Sequence, residues 1–159
     1  MHRQNLFADV PWGSQGEETG TAHRLFWRPE GAMMGATLWE LRPGAPGVRM
    51  HMHYGAEETF FVLSGRPVFR NLEGEEELAP GDFVFCPEGR AGLHAFSNPH
   101  DEPARLLATS AGGFPDVVAY PEHEYAWVAT RDPDLPAGAD PGVIARFEFH
   151  MDRPDDRVS

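Results

Sequence analysis

The chain has 159 residues, 41% of them hydrophobic, and a formal net charge of -12. That length suits one domain with a sizeable core, and the acidic balance speaks against nucleic acid and anionic membrane surfaces as partners. All 13 basic residues are arginine, which excludes Schiff-base and P-loop lysine chemistry. The single cysteine, Cys86, excludes an internal disulfide.

No apolar run is long enough to span a bilayer, and Met1-His2-Arg3-Gln4-Asn5 lacks the apolar core of a signal peptide. A cytoplasmic location is the expectation. Residues 1–20 are polar and glycine-containing and read as an N-terminal arm, with Leu6, Phe7, Val10 and Trp12 as its apolar points. Strand-like segments follow at 22–28, 33–42, 48–53, 57–64, 66–72, 82–86, 93–97, 104–110 and 116–120. Turn chemistry separates them: Pro29-Glu30-Gly31, Arg42-Pro43-Gly44, Ser64-Gly65, Asn71 to Gly74, Pro80-Gly81 and Asn98-Pro99. Many short strands between Gly and Pro turns predict an all-β barrel over 21–130. Residues 131–150 read as a Pro-, Asp- and Gly-rich connector with a last strand from Val143 to Phe149, and 151–159 as a charged, disordered tail.

Two details of this pattern carry expectations about packing. Thr59-Phe60-Phe61-Val62-Leu63 is apolar on both faces, whereas a strand with one wet face alternates. Either a terminal segment or a second copy of the chain in a homodimer must cover its outer side. Phe60, Phe69, Phe83, Phe85, Met50 and Trp39 are expected in the core, Cys86 as a buried inert thiol, and Glu75-Glu76-Glu77 at a solvated hairpin tip.

The chemistry sits in His51-Met52-His53. Side chains two apart on a strand project to the same face, so both imidazoles can converge on one ion. After the loop Tyr54-Gly55-Ala56, the residues Glu58, Phe60 and Val62 share a face of the next strand, which brings a carboxylate into a mostly apolar cavity. An ionised glutamate there is costly unless paired with a cation. His94 on a later strand completes a three-nitrogen, one-oxygen set. Glu57 competes with Glu58 for the carboxylate role, but alternation places it on the outer face. Imidazole and carboxylate ligands at about 2.0–2.2 Å suit a divalent Fe, Mn, Zn, Ni or Cu. The other histidines (His2, His23, His100, His123, His150) read as surface or structural, and Arg49 and Arg70 as solvated strand arginines, with contact to a carboxylate-bearing substrate as the alternative.

These residues resemble the two motifs of the cupins. The first runs from a glycine to His-x-His, three or four residues, Glu, six residues and Gly; here it is His51-x-His53, four residues, Glu58, six residues, Gly65. The second is Gly, five residues, Pro-x-Gly, two residues, His, three residues and Asn; here it is Gly81, five residues, Pro87-x-Gly89, four residues, His94, three residues, Asn98. Two departures fall in turns: Gly44 and Gly47 flank the place of the upstream glycine, and the gap before His94 is two residues longer. The resemblance spans roughly residues 33–110. It implies a jelly-roll-like barrel of antiparallel strands, a double-stranded β-helix, with His51, His53, Glu58 and His94 as metal ligands.

Four protein ligands around a six-coordinate ion leave two positions open, which marks a catalytic site more than a closed structural one. The expected function is a metal-dependent enzyme acting on a small organic molecule. Dioxygenase-type oxidoreductase chemistry comes first, and isomerase or decarboxylase chemistry second. The resemblance further implies that Glu58 moves a proton between substrate positions. The alternative is a non-catalytic small-molecule-binding module. No serine-hydrolase elbow, dinucleotide glycine fingerprint or Cys-x-x-Cys pair is present.

Overall fold

The computed structural model describes residues 19–25, 34–112, 115–129 and 143–148, with a few isolated positions before residue 15. In chain order the strands are β1 (Gly13–Ser14), β2 (Thr21–Leu25), β3 (Met34–Leu41), β4 (Ala45–His53), β5 (Ala56–Ser64), β6 (Val68–Arg70), β7 (Glu75–Glu77), β8 (Phe83–Cys86), β9 (His94–Asn98), β10 (Ala104–Gly112), β11 (Asp116–Tyr120), β12 (Tyr125–Ala129) and β13 (Val143–Glu148). Two antiparallel sheets result, ordered β1-β2-β3-β10-β5-β8 and β13-β12-β11-β4-β9-β6-β7. They face each other as the two layers of a jelly roll, and among the described residues no continuous ladder closes them into one barrel. The all-β antiparallel class expected from the turn rhythm is the class observed.

The main core lies between the layers. Trp39, Leu41, Phe60, Val62, Leu106 and Ala108 from the first sheet meet Phe69 and Phe96 from the second. Ring centroids of Phe60 and Phe96 are 4.6 Å apart and those of Phe69 and Phe96 5.2 Å, normal for tilted aromatic pairs. Phe60 is fully buried, so truncating it to alanine costs about 3–5 kcal/mol. The second sheet is apolar on its other face too: Met50, Met52, Leu93, Ala95, Ala119 and Ala126 form a second cluster. This explains β4, whose even positions pack outward as methionines while its odd positions turn histidines inward.

Asn98 ties the layers together, as its place in a turn suggested. Its Nδ2 donates to the carbonyls of Leu41 (3.0 Å), Arg42 (3.2 Å) and Glu102 (2.8 Å). Its Oδ1 accepts from the His100 amide at 3.2 Å. Of the two glycines that flank the upstream motif position, Gly47 is the one packed against a neighbouring strand. It has φ +77°, and a Cβ there would lie 1.9 Å from the Phe96 carbonyl oxygen.

Several expectations need correction. Phe83 and Phe85 are 64% and 54% exposed, not core. They lie on the outward parity of β8, an edge strand whose Val84 and Cys86 face inward. Phe61 is 38% exposed beside them, so nothing among the described residues fully covers the outer face of β5. Glu75–Glu77 is itself a short strand paired to β6, and Arg66 and His100 both reach Glu77 from neighbouring segments. The strand expected over 66–72 shortens to Val68–Arg70, because Asn71 Oδ1 caps the turn by accepting from the amides of Glu73 (2.8 Å) and Gly74 (3.2 Å). Strands β1 and β12 were not anticipated. The connector over 131–142, the tail over 151–159 and most of the N-terminal arm lie outside the described residues.

Candidate metal centre

The four sequence-picked side chains meet in one place. His51 on β4 stands directly opposite His94 on β9, and β5 brings Glu58 across from the facing sheet. Glu58 Oε2 lies 3.2 Å from His53 Nε2, 3.3 Å from His94 Nε2 and 3.9 Å from His51 Nε2. The donor atoms of His51, His53 and Glu58 all fall within 4.8 Å of one another, a spacing at which one ion can be held. The rings of His51 and His94 are 4.3 Å apart between centroids. Glu57, the competing carboxylate, is exposed on the outer face.

Each imidazole is fixed through its other nitrogen. His51 Nδ1 is 2.8 Å from the Arg49 carbonyl, and His94 Nδ1 is 2.7 Å from the Gly92 carbonyl. His53 Nδ1 is 2.6 Å from Asp116 Oδ2. An Nδ1–H that donates to an oxygen holds the ring orientation and leaves Nε2 as the ligating atom. Three rings thus direct Nε2 toward a single carboxylate oxygen. Glu58 Oε2 and His94 Nε2 are sealed from solvent and have no hydrogen-bond partner. Buried polar atoms seldom remain so, and a cation shared between them would satisfy both. The residues present therefore fit a divalent metal.

The electrostatics follow from burial and from this crowding. Burial, followed by the neighbouring His94, lowers the pKa of His51 to about 3, so its ring is neutral. For His53, burial opposes charging, but the hydrogen bond to Asp116 and the nearby carboxylate of Glu58 outweigh it and raise the pKa to about 10. Burial pushes the Glu58 carboxyl up, and His53 and His94 overcome that, holding it well below the usual carboxylate range. Cys86 stands opposite Glu58 in the β5–β8 register; burial and then the Glu58 charge push its thiol up to about 12, which makes it an inert neighbour.

The two residues by which the second motif is longer have a visible use. Gly89–Gly92 winds into a 3-10 turn, closed by the Leu93 amide on the Arg90 carbonyl at 3.2 Å. A Cβ on Gly92 would sit 1.7 Å from the Pro87 carbonyl oxygen, so only glycine fits. The carbonyl of that same Gly92 receives His94 Nδ1. The longer gap supplies the tether of the ring.

Other candidates lie elsewhere. His100 pairs with Glu77 at 2.8 Å and Arg70 with Glu122 at 2.7 Å, both at the surface. His123 is exposed. His2 and His150 lie outside the described residues, and His23 is on β2. Sequence reasoning missed Asp116 and Tyr120. The ring of Tyr120 stacks on His51 at 5.4 Å and 18°, and on Tyr125 at 4.6 Å and 16°. Burial raises the Tyr120 pKa. The signal was available: residues 116, 118 and 120 share one face of the apolar segment Asp116-Val117-Val118-Ala119-Tyr120. An aspartate on that face asks for a buried partner.

Residues 37–110 match the cupin domain family Cupin_2. Together with the fold, this match supports the cupin superfamily for the segment 37–110. Among solved structures it is similar to a sugar phosphate isomerase of the cupin superfamily from Silicibacter pomeroyi, at 26% identity, covering 78% of this chain and 84% of that one, with a TM-score of 0.60. It is likewise similar to a putative sugar phosphate isomerase from Acidithiobacillus ferrooxidans, at 28% identity, 69% and 71% coverage and a TM-score of 0.59. The polyketide cyclase RemF from Streptomyces resistomycificus follows at 27% identity, 70% and 79% coverage and a TM-score of 0.58. No curated protein sequence matches the chain. No helix among the described residues is long and apolar enough to cross a membrane.

Proposed function

We propose that His51, His53, Glu58 and His94 hold one divalent transition metal, and that the chain is a metal-dependent enzyme for a small organic molecule bearing neighbouring carbonyl and hydroxyl oxygens. The observation that carries this is the convergence of three tethered imidazoles on the unpartnered Oε2 of Glu58. When bound, the metal supplies Lewis-acid polarisation of a substrate oxygen. The chain's own groups do the rest. Phe60, with its ring 5.1 Å from that of His94, backs the site with apolar surface and keeps water out. Tyr120 offers a flat wall beside His51. Glu58, held as a carboxylate, carries a proton between adjacent substrate carbons.

Dioxygenase chemistry led the sequence-based expectation. Isomerase-type chemistry ranks first here, supported by the likeness to structures described as sugar phosphate isomerases and as a polyketide cyclase. The phosphate is not carried over, since the chain has a net charge of -12 and no lysine. Metal analysis of the purified chain, then solvent-deuterium exchange into a panel of hydroxy-carbonyl compounds, tests the reading; an oxygen electrode on the same panel tests dioxygenation. Exchange that disappears in Glu58→Gln supports isomerase chemistry. No turnover with any metal, together with an unchanged small molecule recovered by mass spectrometry, replaces it with a binding module.

The reading includes a homodimer. Phe61 and Phe83 stand opposite each other in the β5–β8 register, with exposed Phe85 next in line. A contiguous apolar patch is a common interaction surface, and a two-fold axis would make this one self-complementary.

A further inference from the structure

We propose that Asp116 is a positioning residue of the metal centre, supplied by β11 from beyond the cupin-matched segment, and that its carboxylate sets the metal affinity through His53. This rests on reading the four-residue cluster as a metal site. The family match ends at residue 110, so nothing in the match itself includes Asp116.

The three imidazoles are tethered in two different ways. His51 and His94 donate to main-chain carbonyls two residues away on the same stretch of chain. Those contacts come with the local backbone and involve neutral acceptors. His53 instead meets a side chain 63 residues away, through Asp116 Oδ2 at 2.6 Å. The other oxygen of that carboxylate, Oδ1, accepts the Gly55 amide at 3.0 Å. One buried carboxylate, 7% exposed, therefore fixes both the ring and the turn that carries β4 into β5. That turn lies between His53 and Glu58. Main-chain pairing supports the arrangement: Val118 stands opposite His53, and the Tyr54 amide donates to the Val117 carbonyl at 3.0 Å.

A full negative charge on Nδ1–H does more than orient a ring. It pulls the proton and makes Nε2 a stronger donor than a carbonyl tether does, an effect typically worth 10–100-fold in metal affinity. Asparagine cannot substitute. It keeps one acceptor oxygen where two N–H groups need acceptors, and its NH2 group would face one of those donors.

The test uses the full chain, stripped of metal, with Zn(II) and Co(II) as probes. Asp116→Asn is expected to weaken Zn(II) binding about 10–100-fold in chelator competition and to shift the Co(II) absorption bands. Val117→Ala disturbs the packing of β11 against the outer cluster of its sheet, on the face away from the carboxylate; it is expected to lower Tm and leave Zn(II) affinity at the wild-type value. Wild-type affinity and unshifted Co(II) bands in Asp116→Asn overturn the proposal, as does an equal loss of affinity in Val117→Ala. A second measurement stands even where Asp116→Asn fails to fold. In the zinc-loaded wild type, the His53 Nδ1 proton should appear as a far-downfield, slowly exchanging NMR resonance, and a fast-exchanging Nδ1 proton overturns the assignment. A wild type that binds neither ion refutes the metal centre itself, a different result from a wild type that binds with Asp116 silent.

Discussion

His94 Nε2 stands 3.3 Å from Glu58 Oε2, and both atoms are closed off from solvent without a hydrogen-bond partner. With Nδ1 held by the Gly92 carbonyl, Nε2 is the His94 nitrogen turned to the carboxylate. Polar atoms left without partners are costly in a low-dielectric interior. A divalent ion held between the two would satisfy both. An ion at a hundred times its dissociation constant should therefore stabilise the fold by about 2.7 kcal/mol, which for a chain of this size raises Tm by roughly 5–11 °C. His94→Ala should lose most of that increment while keeping a folded metal-free state. A thermal melt with and without Zn(II) or Mn(II) reads it, and equal shifts in both proteins would contradict the assignment.

Metal binding should release a proton from His53. Without the ion its pKa is raised to about 10, so at pH 7 the ring carries a proton that an incoming metal must displace. His51, lowered to about 3, is already neutral, and Glu58 is already ionised. The sign follows: affinity rises as pH rises and flattens only above the His53 value. Between pH 6 and 9 the logarithm of the association constant should climb by about one per pH unit. Calorimetry in buffers of different ionisation heat should report close to one proton released at pH 7. Zero protons would remove His53 from the ligand set.

Gly92→Ala should damage the site from a distance. The added Cβ would lie 1.7 Å from the Pro87 carbonyl oxygen, so the 3-10 turn must shift and take the acceptor of His94 Nδ1 with it. The expected result is a loss of stability of about 1–3 kcal/mol, with weaker metal binding. Gly89→Ala serves as the comparison, because a Cβ there meets nothing within 4 Å although its φ of +72° adds strain. Gly89→Ala should lose some stability and retain metal affinity. The reverse pattern would separate the turn from the site.

Light scattering should give a dimer for the wild type and a monomer for the double substitution Phe83→Glu, Phe85→Glu, since both side chains lie outside the core and the fold should survive. A monomeric wild type would leave the outer face of β5 to be covered by a segment of the same chain.

How much of this was legible in the sequence depended on whether the cause was local. Strand parity and spacing are local, and they located His51, His53, Glu58 and His94. Alternation also separated Glu58 from Glu57. The same parity misled at β8, where the apolar run Phe83-Val84-Phe85-Cys86 looks alike in the middle of a sheet and at its edge. Asp116 escaped because its partner is 63 positions away, and no spacing rule joins them. Tyr120 escaped for the same reason. The lengthened gap before His94 falls in a turn, as the sequence indicated, and His94 begins β9; the use of that turn as a tether depends on which way the Gly92 carbonyl points, which only the folded chain reveals.

The two sheets end very differently. The outermost strand of one is Glu75–Glu77, all three side chains in water. A sheet rim ordinarily invites another strand to add to it, and like charge is a standard deterrent. A copy of the chain approaching this rim presents its own three carboxylates to the same three. Stacking into open-ended fibrils is discouraged at that boundary, so crowding in a concentrated solution should leave it unjoined.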